Sequence, residues 1–234
     1  MKIECIPPTG IKKYPKIERI LRNLKNREKI NMILDGGGTD YSYYFLKKIF
    51  PKSKIISLNL NKKEMANVHN PFIGSVENLS KKFKKGYFDL IFLCDTLEHL
   101  FSPEKFIEGA RHCLKEGGHL LISTPNLASI YNRFFILLGF SPSNYHSTGG
   151  PCIGNPFMRE RFGGEHKSVF TYSGLKHWMQ INRFEIVALD GFDYGNVKRT
   201  SREEGGRYKK IRKLINDLVP LSMKEGIIIL CKKE

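Results

Sequence analysis

Apolar positions along the chain switch between two periods, and the switches mark out a succession of helices and strands. Ile17, Ile20, Leu21 and Leu24 recur at the i, i+3, i+4, i+7 spacing of one helical face. Ile30, Met32, Ile33 and Leu34 then form a short apolar run of the kind buried strands show, and it ends in the glycine cluster of ILDGGGTDY, residues 33–41. Residues 40–50 predict a helix closed by Pro51, 54–60 (KIISLNL) a second strand, and 71–76 a short third one. YFDLIFLC, 87–94, is the near-continuous apolar run that a parallel strand buried on both faces requires. Ser102 and Pro103 predict the cap and first turn of a helix whose buried face is Phe106, Ile107, Ala110, Cys113 and Leu114. Gly117 and Gly118 would stop it, and GGHLLIST, 117–124, follows as a strand. Strands and helices alternating through short connections predict an α/β fold with a doubly wound parallel sheet.

Beyond residue 125 the rhythm changes. Residues 126–139 (NLASIYNRFFILLG) predict a helix apolar on nearly all sides, and 140–165 is rich in Gly, Pro, Ser and Asn with little periodicity. A loop of that length inside a domain is usually a lid or binding segment. Thr171 predicts the cap of a helix carrying Leu175, Trp178 and Met179, and FEIVAL, 184–189, a strand. Tyr208, Ile211, Leu214, Ile215 and Leu218 share one helical face, and GIIILC, 226–231, closes the chain as a strand. With no repeat and no linker, residues 1–234 read as a single domain with 126–165 as a substrate-side cap.

Composition narrows the setting. A hydrophobic content of 41% supports a sizeable core. No apolar run approaches the ~20 residues of a membrane span, and MKIECIPPTG lacks the apolar region of a secretory signal, so the expected place is the cytoplasm. Cysteines at 5, 94, 113, 152 and 231 form no C-x-x-C pair and read as reduced thiols. The net charge of +16 invites an anionic partner such as RNA, an acidic metabolite or an anionic membrane surface. Its lysines, however, recur in most polar segments (12, 13, 16; 47, 48, 52, 54; 81, 82, 84, 85), which is how a solvated surface looks. The densest basic stretch, 198–213, is interrupted by Glu203 and Glu204 and carries few aromatics for base stacking, so nucleic acid is not favoured as the partner. The oligomeric state leaves no mark on the sequence.

The chemistry centres on ILDGGGTDY, where a strand ends in a carboxylate and three glycines before a helix begins. Glycines there let the main chain turn sharply and approach a ligand, although ordinary βα loops share the pattern. Together with GSVENL (74–79), FDLIFLCDTLEHL (88–100) and LKEGGHLLISTPN (114–126), in that order and spacing, the stretch resembles the successive motifs of class I S-adenosylmethionine-dependent methyltransferases. EHKSVFTYSGLKHWM (165–179) and RFEIVALDGF (183–192) are similar to the segments that follow in that family. The resemblance implies a Rossmann-like, mostly parallel seven-stranded sheet with a cap insertion. It also implies S-adenosylmethionine as cofactor and methyl transfer to an oxygen or nitrogen of a small molecule, with RNA methylation or non-catalytic binding on the same fold as alternatives.

By that resemblance Asp35, Gly36, Gly37 and Gly38 hold the amino-acid end of the cofactor, Asn59 the ribose, Ser75 and Val76 the adenine, and Cys94 with Asp95 line it at the end of the fourth strand. Three positions depart from the family pattern. Thr39 and Tyr41 stand where glycines would fall, and Asn59 where a carboxylate would accept both ribose hydroxyls, which puts cofactor affinity in question. Asp95, Glu98 and His99 (D-x-x-E-H) fall where the acceptor should approach, with His99 able to take a hydroxyl proton beside Glu98 or, more plainly, the pair opening a loop and bonding to backbone. Adding STPN (123–126) and E-H-K-x-x-F-T, the set resembles the metal sites of two O-methyltransferase groups, one in ubiquinone biosynthesis and one acting on the 3′-terminal ribose of small RNAs. That analogy implies a divalent metal ion on Asp95, Glu98, His99 and His166, with Asp at 95 where the RNA group has Glu.

Overall fold

Seven strands lie side by side in the order β3-β2-β1-β4-β5-β7-β6. In chain order they are β1 (Met32–Gly36), β2 (Lys54–Asn59), β3 (Phe72–Ile73), β4 (Phe88–Cys94), β5 (Leu114–Pro125), β6 (Phe184–Phe192) and β7 (Gly226–Lys233). The computed structural model describes residues 13–69, 71–143, 154–155, 166–194 and 214–234. Strands β1 to β5 pair in parallel, and β7 runs antiparallel between β5 and β6. The chain steps outward from β1 through β2 to β3 and then crosses to β4 on the other side of β1. This reversal leaves a crevice at the carboxyl ends of β1 and β4, the place where open sheets of this kind hold ligands.

The near-continuous apolar runs follow from helices on both faces. Alternate residues of one strand point to opposite layers. Ile33, Leu90, Phe92, Ile228 and Leu230 pack with α1 (Lys13–Arg22) and α2 (Asp40–Ile49). Leu34, Ile91, Leu93, Ile227 and Ile229 pack on the other side with α3 (Leu79–Lys82), α4 (Pro103–Cys113) and α6 (Tyr172–Ile181). Helix α5 (Ile130–Leu137) follows β5, and a short helix over 214–218 precedes β7. Among the described residues no helix is long and apolar enough to cross a membrane, and Cys94, Cys113 and Cys231 are free thiols.

Three expectations shift. Strand β5 begins at Leu114, so Gly117 and Gly118 lie inside it. There the pairing with β4 slips between Phe88 and Leu90, Gly117 takes a φ of 71°, and a Cβ on Gly118 would meet the Lys115 carbonyl oxygen at 2.9 Å. The helix expected from 126 starts at Ile130, because Asn126 Nδ2 donates to the carbonyls of Ser222 and Lys224 and ties that residue to the approach to β7. Lys13, which reads as a surface lysine, is 2% exposed. Most of 140–165, the basic stretch 198–213 with Tyr208 and Ile211, and Cys5 and Cys152 lie outside the described residues.

Candidate active site

The glycine turn at the end of β1 is built on a buried carboxyl. Asp35 is 1% exposed, and its Oδ2 accepts from Ser42 Oγ at 2.7 Å and Ser57 Oγ at 3.0 Å. Burial pushes its pKa up to about 7 against the pull of the two hydroxyls. Gly37 has a φ of 68°, and a side chain there would run into Thr96 after β4. A Cβ on Gly38 would sit 2.7 Å from Asp35 Oδ2 and 2.8 Å from Ser57 Cβ. The amides of Gly37 and Gly38 both donate to the Leu58 carbonyl, at 2.9 and 3.2 Å.

The three departures from the family pattern have structural partners. Thr39 is the N-cap of α2 and forms a reciprocal capping box with Ser42. The Tyr41 ring packs edge-on against Tyr14 of α1 with centroids 4.5 Å apart. Asn59 Nδ2 donates to the Gly38 carbonyl at 2.8 Å while its Oδ1 accepts from the Asn61 amide at 3.0 Å. A carboxylate could make the second bond but not the first, so the amide at this position ties the end of β2 to the glycine turn. Ser75 Oγ accepts from the Glu77 amide, and Val76 packs beneath Gly36.

At the end of β4 the chain turns through Asp95, whose φ of 46° is unusual outside glycine. The Asp95 amide donates to the Ser123 carbonyl at 2.9 Å, Ser123 Oγ donates to Asp95 Oδ1 at 3.0 Å, and Lys13 Nζ donates to Asp95 Oδ2. Lys13 also lies over the rings of Tyr14 and Phe192, so α1 delivers a buried cation into the crevice. The Asp95 side chain keeps 30% exposure. Cys94 is held protonated near neutral pH, since burial pushes its thiol up to about 12.

One turn later Glu98 is buried, and its Oε2 accepts from Thr124 Oγ1 at 3.0 Å. Burial first, and then the nearby Asp95 charge, hold its carboxyl well above the usual range. The Glu98 carbonyl accepts the amides of Lys167 and Ser168, which draws in the segment carrying His166. The His99 and His166 rings meet edge to face with centroids 4.9 Å apart. One ligand atom each from Glu98, His99 and His166 lies within 4.8 Å of the others.

The crevice therefore gathers Gly36 to Gly38, Asn59, Cys94 and Asp95 around one end of the sheet, and sets Glu98, His99 and His166 beside them. Asp95 lies outside that trio, its Oδ1 accepting from Ser123 Oγ and its Oδ2 from Lys13 Nζ. Lys13 carries no signal in sequence, and Thr96, Ser123 and Thr124 lie inside the motif stretches 88–100 and 114–126 without a pattern that singles them out, because their contacts come from other elements. A cleft of about 800 Å³ opens at the opposite end, among Arg19, Asp89, Lys115, His119 and Glu185, and holds none of the sequence-predicted residues.

Solved structures share this architecture over almost their whole length. A S-adenosylmethionine-dependent methyltransferase from Archaeoglobus fulgidus aligns with a TM-score of 0.60 at 15% identity, covering 94% of this chain and 93% of that one. One from Thermotoga maritima aligns at 0.59 and 17%, covering 95% and 89%. One from Mesorhizobium loti aligns at 0.58 and 14%, covering 93% and 96%. Likeness at such identities establishes the fold, and no curated protein matches the chain in sequence. The sequence profile described as "Methyltransferase domain" matches residues 12–189, from α1 through the crevice into β6. On that match and this architecture, the chain belongs to the class I S-adenosylmethionine-dependent methyltransferases.

Proposed function

We propose that the chain transfers the methyl group of S-adenosylmethionine to a hydroxyl oxygen of a small molecule, with Glu98, His99 and His166 at the acceptor. The observation that carries this reading is the convergence of those three side chains within 4.8 Å beside the cofactor crevice. The crevice suits the cofactor. Side chains are excluded at Gly37 and Gly38, and Asp95, held by Lys13 yet 30% exposed, offers a carboxylate to the cofactor's ammonium. Asn59, Ser75 and Val76 continue along the ends of β2 and β3, toward the ribose and adenine. Buried Asp35 acts by shaping the turn rather than by touching the ligand.

The bound cofactor supplies a methyl group on a sulfonium, which departs as a neutral thioether when oxygen attacks in line. The chain's tasks are to align the acceptor, exclude water and manage the hydroxyl proton. One carboxylate and two imidazoles form a donor set suited to a divalent ion such as Zn²⁺, Fe²⁺ or Mn²⁺, which would lower the pKa of an acceptor hydroxyl. We assign that ion to Glu98, His99 and His166, without Asp95. Because burial keeps Glu98 protonated, cation binding must displace its proton and so strengthens as pH rises. Without an ion the same geometry supports a second reading, in which His99 takes the proton directly while Glu98, anchored by Thr124, orients the approach.

Calorimetry decides among these. Binding of S-adenosylmethionine is expected, and its absence at millimolar cofactor would leave only non-catalytic binding. Titration with Mn²⁺ should show one site that His166→Ala removes. A chain with no Mn²⁺ site but intact cofactor binding would retire the metal and leave His99 as base. The RNA alternative rests on net charge and on the resemblance of the Glu98, His99, His166 region to the small-RNA group.

A further inference from the structure

Strand pairing slips twice in the sheet, and both slips open onto the cleft at the end away from the cofactor crevice. Between β4 and β5 the partners jump from Phe88 with Leu114 to Leu90 with His119, so Asp89 and the stretch from Lys115 to Gly118 bulge out of the ladder. Between β6 and β7 the partners jump from Ile186 with Cys231 to Ala188 with Leu230, which leaves Val187 as the extra residue. All of the bulged residues line the cleft. Bulges re-aim side chains and gather beside binding sites. The end of α1 and the chain beyond it, through Ile20, Leu24 and Ile30, also line it, and all its lining residues are described. At about 800 Å³ the space falls within the ~300–1,000 Å³ of small-molecule sites. Its lining is partly apolar and open, with Val187 45% exposed and Ile20 and Ile186 half-buried.

Charge selects the occupant. Arg19, Lys25, Lys29, Lys115 and Lys232 line the cleft against three acids, and each acid is already engaged. Asp89 accepts from Lys115 at 2.6 Å and from the amides of Asn31 and Met32, Glu116 pairs with Lys233 at 2.7 Å, and Glu185 faces Lys232 at 3.8 Å. Lys25 and Lys29 have no carboxylate partner among the described residues. The half-buried His119 ring, also in the lining, makes no hydrogen bond among them. We infer that this cleft is a second ligand site, which takes a small organic anion with its apolar body on Ile20 and Val187 and its acidic group on the lysine rim. A concave wall with an excess of one charge raises the local concentration of ligands of the other. A bare inorganic anion would leave the apolar lining unfilled, and a cation would meet the unpaired lysines. The site shares no residue with the cofactor crevice.

The test is NMR of the full chain with labelled histidines, titrated with 8-anilino-1-naphthalenesulfonate, an apolar aromatic carrying one sulfonate. His119→Gln identifies the resonance. Saturable binding that moves the His119 signals is expected, with the same affinity when S-adenosylmethionine is added at millimolar concentration. Burial and Lys232 hold the His119 pKa below the ordinary imidazole value, and a sulfonate bound nearby should raise it. The double variant Lys25→Glu, Lys29→Glu should weaken the dye by at least about tenfold. Both lysines are exposed, so the variant should keep the wild-type melting temperature. His119 signals that stay still at millimolar dye overturn the inference, as does binding that the double variant retains. Dye displaced by S-adenosylmethionine would lie in the crevice and overturns it as well. An equal response to inorganic phosphate at the same concentration would show charge without an apolar seat, and overturns the organic ligand.

Discussion

Asp35 makes the stability of this chain depend on pH in a direction that few carboxylates do. Its side chain is fully enclosed and bonded by hydroxyls, so its pKa stands at about 7, well above the usual carboxylate range. A carboxyl that holds its proton more tightly when folded stabilises the fold fully below its unfolded pKa. That contribution is lost progressively as pH rises toward the folded pKa, and the loss is complete above it. A shift of this size corresponds to a total of roughly 4 kcal/mol, of which about 2 to 3 kcal/mol falls between pH 5 and 8. For a chain of this length that is roughly 5–10 °C in melting temperature. The perturbation is Asp35→Asn, which keeps an oxygen for Ser42 and Ser57 but cannot titrate. Thermal unfolding of both proteins without cofactor from pH 5 to 8 gives two profiles whose difference isolates this residue from Glu98 and the histidines. The wild type should lose stability relative to Asp35→Asn over that interval. Ser57→Ala removes a hydroxyl that favours the anion, and should move the fall to higher pH. Parallel profiles for wild type and Asp35→Asn would refute the reasoning.

Other residues give independent checks. Lys13→Met strands the Asp95 charge and should cost roughly 2–3 kcal/mol, less than a fully enclosed pair because Asp95 is 30% exposed; urea unfolding measures it, and adding Asp95→Asn should recover part of the loss. Gly37→Ala places a Cβ against Thr96 at a φ of 68° and should destabilise by about 2 kcal/mol or more, with weaker S-adenosylmethionine binding by calorimetry. Asn59→Asp restores the acid that the family pattern carries, yet it sets a carboxylate against the Gly38 carbonyl. We expect a loss of about 1–2 kcal/mol in stability and no gain in cofactor affinity, and a tighter-binding variant would show that the amide bond is dispensable. Thr39→Ala removes the cap of α2 at a cost of about 1 kcal/mol in thermal unfolding.

The departures from the glycine pattern look different once their neighbours are known. As letters, Thr39, Tyr41 and Asn59 weaken a cofactor motif. In the fold they cap α2, seal the turn against α1, and pin the turn to β2. Tyr41 and Asn59 thus reach partners more than 20 residues away in the chain, which no local spacing reveals.

What the sequence by itself determined is whatever depends on local periodicity and chain order. Doubly buried strands must be apolar on both sides, so β1, β2, β4 and β7 are legible, and the order of motifs places Asp35 to Gly38 and Asp95 to His99 at strand ends. Tertiary structure alone decided what each polar side chain does there. Lys13 looks like any surface lysine, yet the docking of α1 makes it the counter-ion of Asp95, which stands beside the Glu98, His99, His166 trio and not in it. The orientation of α5 was equally hidden. An apolar run says that a helix seeks burial but not which side finds it, and here the fold buries Asn132 and leaves the leucines outside. Partners of that kind are long-range, and chemistry at a site is a property of partners.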